Sequence, residues 1–159
     1  MNTVKHLRNS SLSPLPRKRF LVSKLSYITT ILFASLFGTY LDLYLVGKNI
    51  YEFPIRPFPT IFSINIAFTM AGLPFLTWMF LFVMNRINRW KRLVLIFTLS
   101  IICPAIEKMS EHFGLFFHSE KWSHSYSFFG YFLFLIIVWS VFKWCNRGKQ
   151  GAFPPLSSI

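Results

Sequence analysis

Four long apolar segments constrain the fold of this chain more than any other feature. An α-helix rises about 1.5 Å per residue, so roughly 20 apolar residues cross the ~30 Å hydrocarbon core of a bilayer. The predicted membrane spans cover residues 25–46, 60–84, 93–114 and 126–144. We therefore predict an all-α fold, a membrane-spanning four-helix bundle within residues 25–144, between a basic tail at 1–24 and a second tail at 145–159.

The third segment differs from the others because its apolar run, residues 93–106, is short. At about 1.5 Å per residue this run cannot cross the core by itself. The predicted helix must therefore continue through Glu107, Lys108 and Glu111 to Gly114. That extension brings charged side chains into the membrane. In the second segment, Pro74 is predicted to kink the helix.

The basic residues are distributed unevenly along the chain. Of the 17 lysines and arginines, 13 lie in the N-terminal tail, the 85–92 connection and the stretch from Lys143 onward. The 47–59 and 107–125 segments hold the remaining four. Cytoplasmic segments of membrane proteins are enriched in lysine and arginine. We therefore predict a multi-pass protein of the cell membrane with both termini in the cytoplasm (N-in/C-in).

The composition identifies the bilayer as the main partner. Hydrophobic residues make up 53% of the chain and charged residues only 14%, against about 25% in a soluble domain. The net charge of +12 could indicate nucleic-acid binding. However, the basic residues flank apolar segments and do not line one soluble face, so we predict contact with anionic lipid and no binding of nucleic acid.

A layer of polar side chains is predicted near the outer membrane surface. Counting the helical rise from the start of each span places polar groups of all four helices at a similar depth, with Ser127 and Tyr131 entering from the fourth. An unpaired carboxylate at this depth is costly, so these groups should face inward and meet, with Lys108 as the counter-ion. An ion-pair network of this kind could also hold the helices together without any ligand. The predicted polar cluster is Asp42, Asn65, Glu107, Lys108 and Glu111.

Three histidines, His112, His118 and His124, lie close in sequence on the predicted outer side, and they raise the question of a metal site. Imidazole and carboxylate are ligands for zinc, iron or manganese, which makes a divalent metal the cofactor to consider. The spacing matches no known signature, since HExxH is absent. Glu111 and His112 are adjacent, and a helix points adjacent side chains in different directions. Surface histidines in a polar loop are the alternative. The metal-ligand set under this hypothesis is Glu107, Glu111, His118 and His124.

Several stretches resemble a known group of proteins. They are LDLYLVGK (41–48), FPIRPFP (53–59), PAIEK (104–108), HSEKWSH (118–124) and SFFGY (127–131). Together they look like a group of small four-helix integral membrane proteins of Gram-positive, spore-forming bacteria. The resemblance covers most of residues 38–144 and implies the same architecture in a bacterial cell membrane. It transfers no catalytic residue.

The sequence leaves several functions open. No GxSxG, P-loop or GxGxxG motif is present, so the first hypothesis is a non-enzymatic membrane protein that binds an ion, a ligand or a partner subunit. The partner would be a second copy or another membrane protein. One alternative is a metal-dependent membrane enzyme acting on a lipid or envelope intermediate. A small dimeric transporter and a purely structural subunit are the others.

Overall fold

The computed structural model describes residues 16–147 apart from 121, and side chains from residue 24 onward apart from 121 and 124. This described part is mostly helical (74%) and contains four helices. Three stretches, Lys24–Gly47, Arg89–His112 and Ser125–Arg147, are long and apolar enough to cross a membrane, whereas Phe68–Met84 is shorter. The elements are α1 (Pro16–Gly47), β1 (Tyr51–Glu52), a π-helical segment (Phe68–Gly72), α2 (Leu73–Met84), α3 (Arg89–His112), β2 (Phe117–His118) and α4 (His124–Arg147).

The helical architecture agrees with the sequence prediction, but two details differ. A short antiparallel sheet, in which Tyr51 pairs with His118 and Glu52 with Phe117, adds to the expected all-α fold. In addition, α1 begins at Pro16, inside the predicted tail. Proline has no backbone N–H but fits the first turn of a helix, where that N–H would have no helical partner. The preceding residues, 1–15, lie outside the described part of the chain.

Small side chains on α1 allow its neighbours to pack closely. Ser26, Thr30 and Ala34 are fully buried and lie four residues apart, so they occupy one face of the helix. Gly38 continues that face, and a Cβ there would lie 2.4 Å from Leu73 Cδ2 of α2. Helix α1 thereby packs against both α2 and α4, while α4 also packs against α3.

Proline also shapes the second membrane segment. Pro74 cannot donate a backbone hydrogen bond, and its ring crowds the carbonyl one turn earlier in a regular helix. The chain accommodates it by widening into the π-helical segment, where the N–H of Leu73 donates to the carbonyl of Phe68. The widened turn immediately precedes Pro74, which stands at the start of α2. The structure thus has a π-helical turn directly before Pro74, while the predicted kink itself stays a prediction.

Two helices end in the same motif and lead directly into the two strands. At the end of α1, the N–H of Ile50 donates to the Leu45 carbonyl at 3.0 Å, with Asn49 in the left-handed conformation (φ 54°). At the end of α3, Leu115 donates to Ser110 at 3.0 Å, with Gly114 at φ 68°. Both are Schellman caps, which satisfy carbonyls at the helix end and reverse the chain. The strand pair therefore brings the segment after α1 (48–65) and the segment after α3 (113–123) together at one end of the bundle, here called the sheet end.

The opposite end, here called the basic end, is held together by Arg92. Its Nε donates to the carbonyl of Met84 at 2.9 Å, which satisfies the end of α2. The guanidinium also lies over the ring of Trp139 in α4, 4.9 Å from its centroid. One side chain thus ties α2, α3 and α4 together through a hydrogen bond and a cation–π contact. The hydrophobic core beside it comprises Ala34, Phe80, Leu81, Met84, Ile96, Val138, Trp139 and Phe142.

Substitution of Gly38 by leucine tests the close approach of α1 and α2. Because a side chain at Gly38 must displace Leu73, overpacking is expected to lower the free energy of unfolding by about 1–3 kcal/mol. The matched control is Gly130→Leu, since a Cβ at that exposed position of α4 meets nothing within 4 Å. Unfolding in detergent measures both variants. Equal stability of the two would contradict the packing described.

Candidate functional site

The acidic residues all lie toward the sheet end. Asp42 stands in the last two turns of α1, while Glu107 and Glu111 belong to the last turns of α3. Glu52 lies in β1, and Glu120 lies between β2 and α4. These five residues are the complete set of acidic residues in the chain. The sheet end therefore gathers the negative charge of a protein that is otherwise strongly basic.

Hydroxyl side chains within the helices are satisfied locally. Thr30 donates to the carbonyl of Ser26 at 2.8 Å, Thr39 to Ser35 at 2.7 Å, and Ser100 to Ile96 at 2.8 Å. This pattern of bonding to the preceding turn is common for serine and threonine in helices. A carboxylate can only accept hydrogen bonds, so a carbonyl of its own helix cannot satisfy it. The carboxylates of α1 and α3 therefore need partners from other elements.

Glu107 finds its partner on α4. The Tyr131 hydroxyl donates a 2.6 Å hydrogen bond to Glu107 Oε1, joining α3 to α4. Asp42 of α1 is half-buried near the same end of the bundle. The predicted meeting of Asp42 and Glu107 stays a prediction, and the described hydrogen-bond donor to Glu107 is a tyrosine.

Tyr51 of β1 lies among the carboxylates. Burial raises the pKa of its hydroxyl above the ordinary value, and the negative charge of Glu107 raises it further, so the side chain remains a neutral phenol. The charges of Asp42 and Glu111 act in the same direction, whereas a hydrogen bond with Ser127 acts in the opposite one. Tyr51 is therefore within electrostatic reach of all three carboxylates in the helices.

Aromatic packing holds Tyr51 in place. Its ring meets those of Phe116 and Trp122 edge-on, with centroid separations of 4.8 Å and 5.4 Å. The indole Nε1 of Trp122 donates to the hydroxyl of Ser127 at 2.9 Å. These contacts link β1, the segment between β2 and α4, and α4 itself.

Glu111 and His118 are in direct contact at the sheet end. His118 Nδ1 contacts Glu111 Oε1, and the backbone N–H of His118 donates to the same oxygen at 3.2 Å. The two side chains are 17% and 19% exposed, so this pair is reached by solvent. An open pocket of about 420 Å³ adjoins it, lined by Val46, Asn49, Ile50, Tyr51, Glu52, Phe117, His118 and Ser119. Water and small ions can therefore reach the edge of the cluster.

Two members of the predicted polar cluster have other positions or roles. Lys108 is exposed, and among the described residues it forms no ion pair with a carboxylate. Asn65 accepts a hydrogen bond from the N–H of Phe68 at 3.2 Å, three residues into the helix that starts at Ile66. That is the geometry of a helix N-cap. The described neutral neighbours of the carboxylates are therefore the tyrosines Tyr131 and Tyr51, and not the predicted Lys108 and Asn65.

The predicted metal ligands are only partly brought together. Glu111 and His118 are in contact, Glu107 bonds to Tyr131, and the side chain of His124 lies outside the described part. Within the described residues, no group of three or more histidine, cysteine, aspartate or glutamate side chains could hold a metal ion. The geometry described here gives the four-residue metal hypothesis no support beyond the Glu111–His118 contact.

Sequence reasoning did not select Tyr51 or Trp122 as site residues. Aromatic residues outside the spans are common at a membrane surface for reasons of lipid contact, so neither residue stands out in the sequence. The pairing of β1 with β2 and the aromatic contacts of Tyr51 bring them together. Helical rise did place Tyr131 and Ser127 at the depth of the acidic residues.

Comparison with known proteins identifies no relative: no family model, no curated protein and no solved structure matches this chain.

The Tyr131–Glu107 contact can be tested by removing one hydroxyl. Tyr131→Phe leaves the half-buried Glu107 carboxyl without this donor, which is expected to lower stability by about 1–3 kcal/mol. Tyr40→Phe, on the exposed face of α1, removes the same group where it should cost nothing measurable. Thermal unfolding in detergent compares the two. A loss in both variants, or in neither, would mean that this hydrogen bond does not support the bundle.

Proposed function

We propose that this chain is a four-span protein of a bacterial cell membrane, with both termini in the cytoplasm. Its sheet end faces outward, and the carboxyl groups there bind a cation, either a proton or a small metal ion. The observation that carries the proposal is that Asp42 and Glu107 are half-buried at this end of α1 and α3, with the uncharged Tyr131 hydroxyl as the hydrogen-bond donor to Glu107. Neither forms an ion pair with lysine or arginine in the described residues.

The number of spans is supported by the lengths of the helices. Three helices are long enough to cross a membrane. The fourth runs from Ile66 through the π-helical segment to Met84, which at about 1.5 Å per residue approaches the ~30 Å of a hydrocarbon core. Four crossings place both termini on one side, in agreement with the strand pair that joins both connections at the other.

The orientation is supported by the charge of the two ends. The connection at the basic end carries Arg86, Arg89, Lys91 and Arg92, and the acidic residues lie at the opposite end. Lysine and arginine near the ends of spans favour the cytoplasmic side. The basic end is therefore assigned to the cytoplasm and the sheet end to the exterior.

Cation binding follows from the chemistry of neighbouring carboxylates in a membrane. A half-buried carboxylate in a membrane is unstable without a positive partner, and a second carboxylate at the same end adds to the cost, so a cation that neutralises part of the charge would stabilise the site. Tyr131 supplies a hydrogen bond but no charge, and Lys108 points elsewhere. Oxygen atoms from carboxylates and tyrosines suit a proton or a hard cation.

The alternatives have less support from the geometry. A metal-dependent enzyme would need its ligands to converge, and of the predicted set only Glu111 and His118 make contact. A transporter would need polar groups along the whole path, yet the described hydroxyl groups deeper in the helices, such as Ser100 and Thr30, bond to their own backbone. Cation binding without conduction is the function that these contacts fit best.

Topology can be tested by labelling single cysteines in intact cells. In a variant lacking Cys103 and Cys145, Glu52→Cys at the sheet end is expected to react with a membrane-impermeant maleimide. Arg89→Cys at the basic end should react only after the membrane is permeabilised. Both positions are exposed on the protein surface, so a difference in labelling would report the side of the membrane and not burial within the protein. The reverse labelling pattern would show that the orientation is inverted.

Cation binding can be tested by measuring thermal unfolding of the purified protein while cation concentration and pH are varied. Added sodium, calcium or protons are expected to raise the midpoint for the wild type, because they neutralise the carboxyl pair. Glu107→Gln should abolish most of this response. Glu52→Gln, which removes an exposed carboxylate of the same end, should retain it. An equal response in the wild type, Glu107→Gln and Glu52→Gln would refute cation binding at Glu107. The polar contacts would then only hold the helices together.

A further inference from the structure

The basic end carries positive charge that the protein itself does not neutralise. Arg86, Arg89, Lys91, Lys143 and Arg147 are all exposed. No acidic residue lies in the connection 85–92 or in the last turns of α4, since the acidic residues of the chain are all elsewhere. Exposed cations without internal partners are available to an external anion.

Two arginines of the basic end already make contacts within the protein. The Arg92 guanidinium donates a hydrogen bond to the Met84 carbonyl and lies over the Trp139 ring. Arg86 lies over the ring of Phe82, 4.1 Å from its centroid. For Arg89, Lys91, Lys143 and Arg147, the structure shows exposed side chains on the first turn of α3 and the last turns of α4.

Helix geometry brings these two sets of cations to one level. Helices α3 and α4 pack antiparallel, and the contact between Arg92 and Trp139 fixes their register at this end. Arg89 lies about one turn before Arg92, and Lys143 about one turn after Trp139. Arg89 and Lys143 therefore stand at the same height, one turn closer to the surface than the Arg92–Trp139 contact.

Apolar and aromatic side chains surround these cations on the outside of the bundle. Trp90 is 82% exposed and Trp144 is 75% exposed, as expected for rings at a membrane interface. Immediately deeper on α3 are Leu93 and Val94, which are 58% and 65% exposed. Basic and aromatic side chains thus share one level, and apolar side chains follow immediately deeper on α3, which matches the headgroup and the acyl chains of a phospholipid.

We propose that the basic end is a binding surface for anionic phospholipid, with Arg89 and Lys143 as the principal contacts to the headgroup phosphate. Lys91 and Arg147 add charge around them, while Leu93 and Val94 lie beside the acyl chains. The continuous apolar surface favours a lipid over free phosphate, which would use only the cations. This inference does not depend on cation binding at the sheet end.

Native mass spectrometry of the purified protein in detergent tests the proposal, with phosphatidylglycerol or phosphatidylcholine added in equal amounts. The wild type is expected to retain phosphatidylglycerol preferentially. The double variant Arg89→Gln with Lys143→Gln should bind it at least tenfold more weakly, given the contribution of a single cation near an anionic surface. Thermal stabilisation by the same lipid should fall in parallel.

A matched control removes the same charge from the other end. Lys48→Gln with Lys108→Gln changes two exposed lysines of the sheet end and should retain wild-type lipid binding. Equal loss in both double variants would show attraction by net charge alone and would overturn the site. No preference for phosphatidylglycerol would overturn it as well. Equal stabilisation by inorganic phosphate would assign the cations to a soluble anion instead of a lipid.

Discussion

The hydrocarbon core of a bilayer offers no hydrogen-bond partner, so every polar group in the spans must be satisfied within the protein. The backbone meets this requirement by forming helices, and the serine and threonine hydroxyls by bonding to the preceding turn. Pro74 removes a donor, and the chain responds with a π-helical turn. Much of the local structure follows from this constraint, which acts on each segment separately.

Carboxylates are the groups that a single helix cannot satisfy. Their need for donors connects elements that are distant in sequence: Glu107 to Tyr131, and Glu111 to His118. The same contacts place β1 and β2 together, because His118 both pairs with Tyr51 in the sheet and contacts Glu111. The carboxylates and the strand pair therefore belong to one network of contacts. A change in the charge of the carboxyl groups would alter the contacts among α1, α3, α4 and the strands.

The two ends of the molecule differ in chemistry in a way that suits the two sides of a membrane. Positive charge at the basic end is exposed and directed to the surroundings, apart from Arg92, which binds within the bundle. Negative charge in the last turns of α1 and α3 is half-buried and directed inward. An exposed cation can be neutralised by a lipid headgroup, whereas a half-buried carboxylate needs a small cation or a proton. The proposed phospholipid surface would neutralise the basic end, and the proposed cation site would neutralise the carboxylates of the sheet end.

The sequence by itself determined the number and approximate position of the helices, because apolar length and composition act locally. It also predicted that Asp42 and Glu107 would meet, since helical rise alone gives their depth. Tertiary structure decided their partners: Lys108 is exposed, Asn65 caps a helix, and Tyr131 and Tyr51 occupy the cluster. Helical rise gives the height of a residue but not the direction of its side chain, which depends on how the helices are rotated against each other. That rotation follows from close contacts such as Gly38 against Leu73 and Arg92 against Trp139, which no single segment contains.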